Sequence, residues 1–353
     1  MTPATPVAPT DAPVLAAPEP LPQAGPAHSR AETSEAARAA FAPAADVEEA
    51  EGFTRRLARG HYENFSVVTR LLPRSLRQDF CNIYAFCRLA DDLADEPADA
   101  GTAGAVALRN LDRFADELRA CYAGRTSSAV FVALSGTVRR HDIPIEPFLD
   151  LISAFEQDQT VKRYDTFEQL LDYCRRSANP VGRLVLYLCG YRDAERQRLS
   201  DYTCSALQLA NFWQDVRRDL RDLGRVYIPR DSMARFGVTE EDLWKDRAGD
   251  NLKQLIRFEV DRAGAMFAEG DGLLPMLHPA VRRQVALFGA GGRAVLQAIR
   301  RQGYDTLARR PVLSAGQKAR LAGRVVACQL LASLSFGRAG LGTRATGEHD
   351  RNP

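Results

Sequence analysis

The sequence predicts an all-α protein, a single helical domain built as a bundle, and three observations carry that prediction. From Phe53 onward, apolar residues recur at three- and four-residue spacing, the period of an amphipathic helix. No run of alternating β-branched residues is long enough to build a sheet. The breaks at residues 97–104 and 139–147 carry the Pro, Gly and Asp of short helix connections.

Composition narrows the function classes. With 353 residues, 45% hydrophobic and 26% charged, the chain is long enough to bury a substantial core. A formal net charge of only +2 gives no global field for nucleic acid, which is not expected as a partner. Seven cysteines, an odd number without a Cys-x-x-Cys pair, read as free thiols in a reducing compartment and not as a zinc site. There is no basic start followed by an apolar run, and no stretch approaches 18 apolar residues. The expected location is therefore the cytoplasm, with at most a peripheral membrane contact.

Residues 1–45 hold nine of the 19 prolines, with Phe41 as their only aromatic, and read as a disordered Pro/Ala-rich tail. The helical domain is expected over residues 46–340, followed by a flexible tail at 341–353. Phe53 and Leu57, then Tyr62 and Phe65, predict a first helix running into a loop. In residues 61–73, His61 and Asn64 can bond a phosphate while Phe65 closes an apolar wall; a capped helix entry with core aromatics is the other reading.

Residues 84–96 are helix-forming and are stopped by Pro97, which disfavours helix at the residue before it. Tyr84, Arg88, Asp91 or Asp92, and Asp95 fall on one face, with Phe86, Leu89 and Leu93 around the sides. Carboxylates gathered at a helix C-terminus repel one another and the macrodipole, so a cation must offset them. Either Arg88 does so on a solvated helix end, or Mg²⁺ does, held by one or two carboxylates plus substrate phosphates.

Pro147 suits the first turn of a further helix carrying Leu149, Ile152 and Phe155 toward Gln157-Asp-Gln159. The next helix, N-capped by Asp165 or Thr166, holds Tyr173, Cys174, Ala178 and Gly182, and Pro180 with Gly182 predicts a kink with close approach. Gln208, Asn211 or Phe212, Asp215 and Asp219 then repeat the acidic stripe on one more helix. Two such helices can clamp several Mg²⁺ ions around one diphosphate, and the pair is far more specific than either stripe alone. After Gly224, Arg225 and Tyr227 sit on a flap that closes onto phosphate oxygens, or on a solvated loop. Gly289-Ala-Gly-Gly-Arg lacks the strand and downstream acid of a dinucleotide fingerprint, so no nicotinamide site is expected. The ten basic residues between Arg282 and Arg324 form either a solvated face or a surface for anionic lipid.

The stretches His61-Tyr-Glu-Asn-Phe-Ser, Leu71-Leu-Pro, Tyr84-Ala-Phe-Cys-Arg, Asp91-Asp-Leu-Ala-Asp, Asn211-Phe-Trp-Gln-Asp215 and Gly224-Arg-Val-Tyr-Ile-Pro together resemble the squalene/phytoene synthase family. The Asn-Phe-Trp-Gln-Asp form is most similar to the hydroxysqualene synthases of the bacterial hopanoid pathway. The resemblance implies an isoprenoid-synthase bundle around a central cavity, Mg²⁺ as cofactor, a prenyl diphosphate substrate, and neighbouring enzymes of squalene and hopanoid biosynthesis as partners. It implies metal ligation by Asp91, Asp95, Asn211, Asp215 and Asp219. It puts His61 and Asn64 on diphosphate, Phe65 along the prenyl channel, Tyr173 near the reacting carbons, and Ala178 and Gly182 in the prenyl pocket. Tyr84, Arg88, Gln208, Arg225 and Tyr227 join the substrate site, with late contacts from Arg300, Tyr304 and Arg309.

Two departures stand out: Glu63, and Ser177-Ala-Asn-Pro in place of a Val-Ala-Gly pattern. Gln214 replaces an Arg of many relatives; its amide either holds a water beside the diphosphate or points into helix packing. The implied reaction converts presqualene diphosphate and water to hydroxysqualene and diphosphate. Joining two prenyl diphosphates to presqualene diphosphate, squalene or phytoene is the alternative. A non-catalytic helical adaptor is the third reading.

Overall fold

The computed structural model describes residues 38, 40–60, 73–95, 103–313 and 316. His61, Asn64, Phe65, Glu63 and the expected tail at 341–353 lie outside them. Twelve α-helices form among the described residues: α1 (Val47–Gly60), α2 (Arg77–Ala94), α3 (Ala103–Tyr122), α4 (Ala129–His141), α5 (Glu146–Thr160), α6 (Phe167–Ser177), α7 (Asn179–Leu188), α8 (Ala194–Leu223), α9 (Arg230–Arg235), α10 (Glu240–Trp244), α11 (Asp250–Gly270) and α12 (Pro279–Arg301). No strand accompanies them; two isolated bridges join Pro43 to Ser128 and Arg163 to Val226.

The helix ends follow local chemistry. The Thr166 side chain accepts from the Gln169 amide and caps α6, so of the two expected caps the hydroxyl takes the position. Pro147 sits in the first turn of α5. Gly224, at φ +64, ends α8 in the left-handed region. The expected kink is a break at Ala178, after which Pro180 opens α7.

Two large apolar clusters, with a smaller one around Leu186, Leu199 and Leu273, make up the core among the described residues. Phe86, Phe114, Phe131 and Phe148, all fully buried, centre the one formed by α2 to α5. The other gathers around α8, whose 30 residues span about 45 Å and pack on α7, α11 and α12. Close approach is bought with glycine: a Cβ at Gly182 would overlap the Ser200 hydroxyl and the Cys204 thiol of α8. Gly289-Ala-Gly-Gly lies inside α12, where a Cβ on Gly292 would meet the Phe267 ring and Leu207.

A buried polar network fixes the roll of α2. Asn82 accepts from Thr54 of α1 (2.6 Å) and donates to Thr137 of α4 (3.0 Å). Thr137 donates in turn to Asp79 (2.9 Å), which also meets Arg140 and His141. Satisfied on this side, α2 holds Cys87, Asp91 and Asp95 toward the opposite side, where a cavity opens.

The folded part begins earlier than the boundary expected at Asp46. Ala40 is fully buried and Phe41 lies edge-on to Phe114 at 6.3 Å, with Arg113 over its other face at 3.9 Å. Ala44 donates to the Ser127 carbonyl, and Ala42 accepts from Ala129. The one aromatic of the Pro/Ala-rich segment is therefore an anchor, since a ring buries more apolar area than its polar-poor neighbours can.

Candidate active site

The cavity lies between α2, α5, α6, α7 and α8, lined among others by Asp91, Asp95, Phe155, Asp158, Tyr173 and Gln208. Arg225 and Tyr227, just beyond α8, close one side of it.

The first acidic stripe is not a solvated helix end. Asp91 and Asp92 are 4% and 3% exposed, as is Arg88 at 4%, and only Asp95 opens to solvent. Arg88 lies 3.4 Å from Asp91 and also pairs with Asp92. Burial, and next the Asp95 charge, push the Asp91 carboxyl well above the usual carboxylate range. Tyr84 is buried one turn before Arg88.

The second stripe is as deeply buried. Gln208, Asn211, Asp215 and Asp219 are all buried on α8. Burial, reinforced by Asp215, holds the Asp219 carboxyl well above its ordinary range. Asp219 Oδ2 has no hydrogen-bond partner among the described residues. Asp215 is taken by Arg310, whose Nη2 donates to Oδ2 at 3.0 Å while Nε donates to Oδ1.

α5 packs on α2, and its Asp158 reaches Arg225 just beyond the end of α8. Asp158 Oδ2 accepts from the Tyr173 hydroxyl at 3.0 Å and lies 3.4 Å from Arg225 Nη1. Arg225 also donates to the Asp158 carbonyl at 3.2 Å. Burial, opposed by Arg225, pushes the Asp158 carboxyl up to about 6. Tyr227 stacks on Phe212 with ring centroids 3.8 Å apart and an interplanar angle of 11°.

The flap carrying Arg225 and Tyr227 is strapped down. Val226 donates to the Lys162 carbonyl, Arg230 to the Tyr164 carbonyl, and Arg163 grips both Glu240 and the Gly224 carbonyl. Neither residue is on a solvated loop.

Several expected placements change. Gly182 serves the α7–α8 contact, because the helices approach too closely there for a Cβ; Ser177 and Val181 line the cavity instead, and Ala178 is the buried break between α6 and α7. Gln214 takes the packing position of its two readings: its Nε2 donates to the Pro311 carbonyl at 2.5 Å, since adjacent residues on a helix diverge by about 100° and Gln214 points away from Asp215. Arg300 pairs with Asp261 on the surface, and Arg309 is exposed. Tyr304 packs against the α8 cluster at φ +62 and is not among the residues lining the cavity. Arg293 and Arg300 of the basic face have carboxylate partners, Asp271 and Asp261.

Two site residues were missed from the sequence. Asp158 carried a signal, since Leu151, Phe155 and Asp158 share one face of α5 and all line the cavity. Arg310 carried none, because its link to Asp215 spans 95 residues.

The residues present fit magnesium. Among the described residues no three acidic, histidine or cysteine side chains converge to hold a metal. Magnesium, though, takes only one or two carboxylates when substrate phosphates complete its octahedron. The buried Asp219 Oδ2, without a hydrogen-bond partner among the described residues, is a hard donor of the kind magnesium takes.

Among the described residues a helical shell encloses a cavity lined by Asp91, Asp95, Asp158 and aromatic rings; of the second stripe only Gln208 lines it, with Asn211, Asp215 and Asp219 buried farther along α8. This helical architecture is that of an isoprenoid synthase. Residues 58–317 match the squalene/phytoene synthase family model, and the chain belongs to that family. It is 31% identical over 277 residues to a phytoene synthase of Arthrospira platensis, covering 75% of this chain and 88% of that one. The structure of squalene synthase HpnC from Alicyclobacillus acidocaldarius superposes with a TM-score of 0.69 at 47% identity, over 76% of this chain and 98% of that one. A ligand-bound dehydrosqualene synthase gives a TM-score of 0.72 at 25% identity, over 81% and 98%.

Proposed function

We propose that the protein is a hydroxysqualene synthase, converting presqualene diphosphate and water to hydroxysqualene and diphosphate. The observation that carries this reading is Asp158: a buried carboxylate with its pKa raised to about 6, inside an aromatic cavity, whose Oδ1 has no partner among the described residues. The likeness to a squalene synthase, HpnC, supports the coarser part of the reading, an enzyme of squalene formation.

Asp91 and Asp95 on one side, and Asn211, Asp215 and Asp219 on the other, would hold magnesium, and the chemistry magnesium supplies there is neutralisation of the departing diphosphate. Arg88 and Gln208 orient the carboxylates and phosphate from within the two stripes. When the carbon–oxygen bond to diphosphate breaks, Phe155, Tyr173 and Tyr227 shelter the cyclopropylcarbinyl cation and the allylic cation to which it rearranges as the cyclopropane opens. A water held at Asp158 Oδ1 forms the new carbon–oxygen bond and gives its proton to that carboxylate. Tyr173, donating to Oδ2, leaves Oδ1 as the accepting atom. No nicotinamide is consumed.

The test is incubation with presqualene diphosphate, Mg²⁺ and H₂¹⁸O, without NADPH. The expected product is the alcohol carrying ¹⁸O. Squalene formed only with NADPH, or presqualene diphosphate from farnesyl diphosphate as sole product, rejects the reading. The phytoene synthase relatives favour that second activity, the joining of two prenyl diphosphates.

No helix among the described residues is long and apolar enough to cross a membrane. The proposed setting is the cytoplasm, at the membrane surface where a C30 product partitions, beside other enzymes of squalene and hopanoid biosynthesis.

A further inference from the structure

Beyond α12 the chain turns back over the second acidic stripe and is fastened there at several points. Arg217 donates to the Leu307 carbonyl at 2.6 Å, Asp305 accepts from the Ala248 amide at 3.0 Å, and Gln214 donates to the Pro311 carbonyl. Leu307 is fully buried. These fastenings deliver Arg310 onto both carboxylate oxygens of Asp215. The segment hangs from two consecutive left-handed residues, Gly303 at φ +63 and Tyr304 at φ +62. For a tyrosine that conformation is strained, and it marks the joint about which the segment turns.

We infer that the Arg310 guanidinium and a divalent cation occupy the Asp215 carboxylate alternately, so that loading the second stripe releases Arg310 and loosens residues 305–313. The inference rests on Asp215 being a metal ligand. A bidentate guanidinium occupies the inward-facing lone pair of each oxygen and neutralises the charge, so a metal chelated by Asp215 has to displace it. In the absence of metal, Arg310 offsets a charge that is 4% exposed and lies close to Asp219. Its own side chain is 40% exposed, so it can leave without crossing the core. Gln214 and Arg217 are positioning residues in this arrangement: they hold the backbone that holds Arg310.

The experiment uses the full chain and Mn²⁺ alone, with binding read from the electron paramagnetic resonance of free Mn²⁺. Arg310→Gln is expected to bind Mn²⁺ roughly three- to ten-fold more tightly than the wild type, the scale of a half-exposed ion pair removed from competition. Arg310→Lys, which keeps the charge but not the fork, is expected to fall between them. In the wild type, which needs no variant to fold, Mn²⁺ is expected to speed amide exchange across residues 305–313. Unchanged or weaker Mn²⁺ binding in Arg310→Gln, or unchanged exchange over 305–313, overturns the inference while Asp215→Asn still weakens binding. Mn²⁺ binding that Asp215→Asn leaves intact overturns the metal-ligand reading itself, and the inference with it.

Discussion

Arg225 Nη1 lies 3.4 Å from Asp158 Oδ2, and this ion pair joins the two halves of the site: Asp158 faces Asp91 and Asp95 across the cavity, while Arg225 stands near Asp219. The side chains are 11% and 9% exposed, so each charge depends on the other for solvation. Arg225→Gln is expected to cost about 3–5 kcal/mol of stability, because it leaves Asp158 buried without its cation. The double variant Arg225→Gln with Asp158→Asn is expected to recover most of that loss and none of the turnover. Urea unfolding of the four proteins measures the coupling; additive losses would contradict it.

The carboxylates proposed as metal ligands are expected to be poor for stability. Burial raises the cost of ionising Asp91 and Asp219, and Asp91→Asn and Asp219→Asn remove that cost. Each variant is expected to melt at or above the wild-type temperature in EDTA while losing about 10²–10³ in turnover with Mg²⁺. A variant that unfolds, or that keeps full turnover, contradicts the metal-clamp reading.

The pH dependence follows from Asp158. Its folded pKa, about 6, lies above the ordinary 3.8, so the stability it contributes is complete below about 3.8 and is lost as pH rises through 6. Thermal midpoints in EDTA are therefore expected to fall between pH 4 and 7, with a shallower fall in Asp158→Asn. In the proposed reaction turnover runs the opposite way: Asp158 as base works ionised, so the acid limb of the rate profile is expected near pH 6 and is measured under saturating substrate.

The N-terminal anchor separates two truncations. A chain starting at Arg38 keeps Ala40 and the Phe41–Phe114 contact, whereas one starting at Asp46 loses both. The shorter chain is expected to be less stable by about 2–3 kcal/mol, on the scale of one buried aromatic side chain. Calorimetry of both proteins decides this, and Phe41→Ala in the longer chain should reproduce most of the difference.

Asp91 and Asp215 were legible in the sequence because helical periodicity is a local property: three- and four-residue spacing places Tyr84 near Arg88, and Asp215 near Asp219, whatever the rest of the chain does. The same locality made the Gly224 stop, Pro147 in its first turn and the all-α class readable. Gln214 and Gly182 show where locality ends. Whether an amide meets substrate or a backbone carbonyl, and whether a glycine opens a pocket or admits a neighbouring helix, depends on which element packs against it. For Gln214 that element is a segment 97 residues away, and for Gly182 it is Ser200 and Cys204 of α8. The sequence by itself determined the helices, the acidic stripes and the family resemblance. Only the tertiary structure decided that Asp158 and Arg225 bridge those stripes, that Phe41 packs against the core, and that Arg310 sits on Asp215, because burial and charge pairing across the bundle are set by packing and leave no periodic trace along the chain.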